Sequence, residues 1–109
     1  MQSAPSQAFS HIEVSRLEEL LMSTLLNKEL YGLQIGQAIE QASEGSHQIG
    51  IGSLYPTLHR LEKKRLIESR WGNERLEERS GARRRYYKLT ELGVNALENA
   101  QRLRASVMA

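Results

Sequence analysis

The residues best suited to chemistry lie mid-chain, in GIGSLYPTLHRLEKKRLI at 50–67 and RSGARRRYYK at 79–88. On a helix turning about 100° per residue, Leu54, Leu58 and Leu61 fall together, with Arg65 ending the stripe. Pro56, His59, Arg60 and Lys63 fall opposite, and Tyr55 and Lys64 flank them. One face can dock on neighbouring helices, while the other offers cations, an imidazole and a phenol. That set suits a DNA major groove, where arginine bridges guanine O6 and N7 and hydroxyls reach phosphates or base edges. Residues near the start of such a helix enter deepest, so Ser53, Tyr55, Pro56, Thr57, His59, Arg60 and Lys63 are the candidate contacts. An ordinary amphipathic surface helix shares the pattern, so the neighbouring segments must decide.

In the second run Arg79, Arg83, Arg84, Arg85 and Lys88 surround Gly81, the expected tip of a loop. Arginine suits phosphate forks and narrow minor grooves, which marks Arg79, Gly81, Arg83 and Arg84 as a candidate wing. Three consecutive arginines beside two tyrosines require at least one to turn inward or lie on a ring. Tyr87 and Leu89 are assigned to the core, and Trp71, the only tryptophan, to packing on a face shared with Ile67. Charge follows the same division. Residues 1–51 carry two cations against six glutamates (−4), residues 52–88 eleven against five (+6), and the tail is neutral. A basic centre after an acidic start points to a polyanion partner, double-stranded DNA first.

Enzyme chemistry finds little purchase. All 13 acidic residues are glutamates, and there is no cysteine to supply a disulfide, a thiolate metal site or a nucleophile. The three histidines are 36 and 12 residues apart, so no HxxxH pair exists. His59 and Glu62 alone make a weak metal site, and no phosphate-binding glycine motif occurs. No metal or cofactor is expected. No apolar run approaches the roughly 20 residues of a membrane span, and no signal peptide is recognisable, so the expected compartment is the cytoplasm.

The elements that must position these residues can be read from periodicity and caps. Residues 1–9 form an expected loose arm. Ser10 or Ser15 opens a first helix through a capping box with Glu13 or Glu18, and the helix ends near Asn27. YGLQIGQAIEQAS is a second helix with Leu33 or Ile35, Ala38, Ile39 and Ala42 inward. Its Gly32 and Gly36 each cost about 1 kcal/mol against alanine unless they permit close packing. A glycine-rich turn leads to the third helix at about 53–64, with Ser53 as cap and Pro56 third in the helix. Two paired strands follow, one around Ile67–Trp71 and one in RRYYKLT. Thr90 caps a last helix whose Leu92, Ala96, Ala100, Leu103 and Val107 share a face. That stripe would be exposed on a lone domain, so a homodimer is expected through it; folding back on the first helix is the alternative. The fold class is mainly α with a small β-hairpin (α+β): a winged helix-turn-helix over 10–90 and a C-terminal dimerisation helix over 91–109.

LYGLQI, GSLYPTLHRLEKKRLI and RRRYYKLTELG, at this spacing, resemble the PadR family of bacterial transcriptional regulators across residues 15–100. The resemblance implies a homodimeric repressor with Tyr55 and its helix facing the major groove, in the smaller subfamily with one short C-terminal helix. Tyr31 and Gln34, at the start of the second helix, join the candidate DNA contacts. Two departures stand out. Arg65 replaces the glycine often found after the recognition helix, a strain of roughly 1 kcal/mol if the backbone is left-handed there. The wing reads Gly81-Ala82-Arg83-Arg84 where the family often has G-R-P-R, which displaces the arginine nearest the tip. Two other readings remain open: a winged-helix protein-interaction module without DNA reading, and a regulator sensing an unidentified small molecule at its dimer interface.

Overall fold

A computed structural model describes residues 12–72 and 83–108. The expected arm at 1–9, Ser10 as a cap, and Arg79 and Gly81 lie outside the described residues. Helix α1 spans Arg16–Ser23 and is opened by Ser15, whose hydroxyl accepts from the Glu18 amide while the Glu18 carboxylate accepts from the Ser15 amide. It ends four residues before Asn27, which carries the chain through a turn at φ 60°. A short strand β1, Leu30–Tyr31, then precedes helix α2, Gly32–Ala42. Two residues give no periodic signal, so β1 is invisible in the sequence. Ile35 and Ile39 are the buried apolar side chains of α2, whereas Leu33 and Ala42 are exposed, because α2 turns only a narrow stripe inward.

Helix α3 spans Ile51–Lys63 and buries Leu54, Leu58 and Leu61. Its C-terminus is a Schellman motif: the Leu66 amide donates to the Leu61 carbonyl (3.0 Å) and the Arg65 amide to the Glu62 carbonyl (3.0 Å). Arg65 stands at φ 64°, so the arginine occupies the left-handed position anticipated from the missing glycine. Strands β2 (Ile67–Trp71) and β3 (Arg85–Leu89) complete an antiparallel sheet in the order β1-β3-β2. The register Ile67↔Leu89, Ser69↔Tyr87, Trp71↔Arg85 puts these six side chains on one face. Tyr31 and Tyr86 pair on the other.

Helix α4 spans Glu91–Met108 and starts at Thr90, whose hydroxyl accepts from the Gly93 amide (2.9 Å) and donates to the Arg65 carbonyl (2.7 Å). The three-helix core does not close without it. Leu97 and Ala96 are buried and Leu92 packs against the same cluster, so the first half of α4 completes its own chain's core. Among the described residues, four helices and a three-stranded antiparallel sheet make an α+β winged helix.

Candidate nucleic-acid interface

Helix α3 begins earlier than its sequence suggests. Gly50, extended at φ −77° and ψ 163°, is the N-cap, and Ser53 is already the third helical residue. Pro56 is therefore the sixth. It is past the free amides of the first turn, and it removes the donor that the Gly52 carbonyl would have used. Both residues are exposed, so water can serve that carbonyl. Ser53, Pro56, His59 and Lys63 lie at the surface as expected. Tyr55 is 46% exposed and its hydroxyl lies against Gly32, where a β-carbon would collide with it. The close packing anticipated at the α2 glycines is thus real at Gly32. At Gly36 a β-carbon would meet only Ile49, at 3.9 Å.

Thr57 is not offered to a base edge. It is 1% exposed, donates to the Ser53 carbonyl (2.7 Å) and accepts from Arg60 Nη2 (3.1 Å), because its position on the wheel faces α1. Arg60 lies on that same flank rather than on the far face, with Nε 3.5 Å from Glu18. Lys64 Nζ donates to both Glu18 oxygens at 3.0 and 3.1 Å. Burial pushes the Glu18 carboxyl up, but the Ser15 amide, Lys64 and Arg60 together hold it below its usual range. Nothing in the sequence singled out Glu18 beyond its capping role.

The basic end of the sheet splits its arginines between two faces. Arg83 and Arg85 lie over the Trp71 ring, 5.0 and 5.1 Å from its centroid. Trp71 is 50% exposed, so it is not the packing residue expected from its face: β2 runs past the core before reaching it. Arg85 also donates to Ser69 (2.9 Å) and lies 3.5 Å from Glu62 on α3. Glu62, which accepts from Ser69 at 2.5 Å, is thus committed to the sheet instead of a metal. On the opposite face Arg84 stacks on Tyr31 (4.7 Å), Tyr31 meets Tyr86 edge-on, and Arg70 covers Tyr86 at 4.9 Å. Tyr31 is half-buried there, and its amide donates to Gln34 Oε1 (3.1 Å), so Gln34 serves as a cap. Arg70 forks onto Glu29 at 2.7 and 2.9 Å, and that bond holds the Glu29 carboxyl below its usual range.

Residues 21–99 match the transcriptional regulator PadR-like family. The chain belongs to that family. An uncharacterised protein of Lysinibacillus sphaericus is 36% identical over 84 residues, covering 77% of this chain and 73% of that protein. A PadR family transcription regulator from Clostridium difficile superposes with a TM-score of 0.68 at 36% identity, over 86% of this chain and 95% of that one. Bacillus subtilis PadR, solved in complex with operator DNA, shares the fold (TM-score 0.68) at 20% identity, over 79% of this chain and 46% of that one. The family is one of transcriptional regulators rather than enzymes.

In this PadR-like chain the stripe expected to dimerise is divided. Leu92 and Ala96 face their own core, and the exposed part of the stripe lies beyond the half-buried Ala100. Leu103 and Val107 are 63% and 77% exposed. They border a groove of about 760 Å³ whose other wall is Ile12, Val14 and α1. Arg104 crosses its floor to pair with buried Glu19.

Proposed function

We propose that this PadR-like regulator is a homodimeric repressor that reads a pseudo-palindromic DNA operator. The observation carrying the reading is α3 itself. One side is sealed in the core, while Tyr55, Pro56, His59 and Lys63 project from the other beside arginines stacked at the end of the sheet. Bases are read from this outer edge, and phosphates are clamped by Arg83 and Arg84. Arg60, tied to Glu18 and Thr57 on the flank, is a phosphate contact. Its replacement by glutamine lowers affinity equally on specific and random duplexes. Dimerisation runs through the second half of α4, where Leu103 and Val107 would otherwise waste apolar surface on water. The repressing sign is the one the family resemblance implies.

Selection of bound duplexes from a random pool tests the reading. The expected product is two related half-sites about one or two helical turns apart, roughly 10–20 base pairs. A reporter carrying that site is silenced by the intact chain. A pool that enriches nothing sinks the reading, and an unsymmetric site sinks the dimer.

A further inference from the structure

We propose that Trp71 is a positioning residue for DNA binding, its indole holding Arg83 and Arg85 as a pre-set pair of phosphate contacts beside the recognition helix. The proposal rests on the DNA-binding reading above and assigns a role to a half-exposed tryptophan that the core does not use. Trp71 is half exposed at the end of β2, directly opposite Arg85 in register. The two guanidinium groups stand at nearly equal distances from its ring, 5.0 and 5.1 Å.

A ring holds a cation differently from a carboxylate. Its quadrupole attracts the guanidinium face and carries no net charge, so the ring itself reduces rotamer freedom without neutralising the cation. The stack is also anchored to the reading helix, since Arg85 bonds Ser69 and lies against Glu62 of α3. Arg85 and the helix are thereby tied together at the end of β3. An arginine ordered in advance has less freedom to lose on docking, which makes the gain in affinity one of preorganisation.

The test uses the full chain and a fluorescein-labelled random-sequence duplex at low salt, about 50 mM. Trp71→Leu is expected to weaken binding about 3–10-fold, with Trp71→Phe between it and the parent. The slope of log K against log salt stays unchanged in both, because the same phosphates are contacted, whereas Arg83→Gln lowers it by about 1. Within an Arg83→Gln background Trp71→Leu loses much less. In the parent, emission from this sole tryptophan changes as duplex is added, a measurement that needs no variant. Equal losses with and without Arg83, an unaffected Trp71→Leu, or an unmoved emission during binding overturns the proposal while leaving DNA binding intact. Failure of the parent chain to bind the duplex overturns the DNA-binding reading and the proposal with it.

Discussion

Helix α3 and the basic end of the sheet stand side by side, but they are fastened in opposite ways. The helix is seated by Leu54, Leu58, Leu61 and Thr57, none more than 4% exposed. Burying each leucine is worth about 1.5–3 kcal/mol, a contribution that ordinary salt concentrations barely touch. The sheet end is organised by half-exposed arginines on rings and by ion pairs such as Glu29–Arg70 and Glu68–Lys88. Such contacts contribute about 0–1 kcal/mol each and weaken as salt rises. The orientation of the helix is therefore a property of the fold, whereas the order of the arginines rests on weaker contacts that salt can loosen.

The largest effect is expected where the two regions meet. Leu66 links α3 to β2, and its carbonyl accepts from the Thr90 amide at 3.1 Å. Gly93 lies against that carbonyl so closely that a β-carbon would overlap the oxygen. The obstacle is backbone and cannot swing away. Gly93→Ala should cost about 3 kcal/mol or more, read as a lower midpoint in urea. If the loss is below 1 kcal/mol, Leu66 is free to shift and the two regions are not held by a common joint.

A smaller loss is expected on the helix side. Glu18 is buried and accepts from the Ser15 amide and Lys64, with Arg60 beside it. Glu18→Gln should cost about 1–3 kcal/mol. The same bonds set a pH dependence. The Glu18 carboxyl is held below its ordinary value of 4.5 in the folded chain, so the unfolded chain takes up its proton first as the solution is acidified. Its contribution is complete above about 4.5 and is lost as pH falls through the lowered folded value. Urea midpoints measured at descending pH should fall less steeply in Glu18→Gln than in the parent. Parallel acid limbs would show that Glu18 does not fasten α3.

This asymmetry also explains what the sequence made legible. Periodicity reports burial, so the helices, the leucine stripe of α3 and the core role of Tyr87 could all be read from spacing. Arg65 could be questioned from a missing glycine because left-handed backbone has a residue preference. Contacts between elements distant in sequence leave no such trace. The buried partnership of Glu18 with Lys64 joins residues 46 apart, and the Glu29–Arg70 fork spans 41. At Thr57 the residue type does not decide, because a hydroxyl fits a base edge and a buried helix flank equally well. At Trp71 alternation overstates burial, because a strand face predicts burial only while the core lies beneath it. In the last helix a stripe does not reveal where its own core stops, so spacing alone leaves dimerisation and folding back on the first helix unseparated.

A gain is expected at Arg65. Its φ of 64° suits glycine, and the Schellman bonds and the Thr90 contact use only its backbone. Arg65→Gly should raise stability by about 1 kcal/mol. The interface is touched only through one lost positive charge. No gain in urea midpoint would mean that the arginine side chain compensates for its backbone.

The smallest effect is expected on the outer face of the sheet, and it sharpens the contrast most. Glu29 and Arg70 form the best-aligned ion pair of that face, at 2.7 Å, yet their side chains are 30% and 56% exposed. Solvent screening reduces the value of the fork, so Glu29→Gln should cost no more than about 0.5 kcal/mol despite the lowered Glu29 carboxyl. Removing the carboxylate also takes a negative charge away from beside Arg70. Duplex affinity at low salt should rise slightly, with a steeper salt dependence if Arg70 joins the phosphate contacts. A loss above 1 kcal/mol would instead show that this surface is as firmly built as the helix seat, and the arginines would then be fixed by the fold.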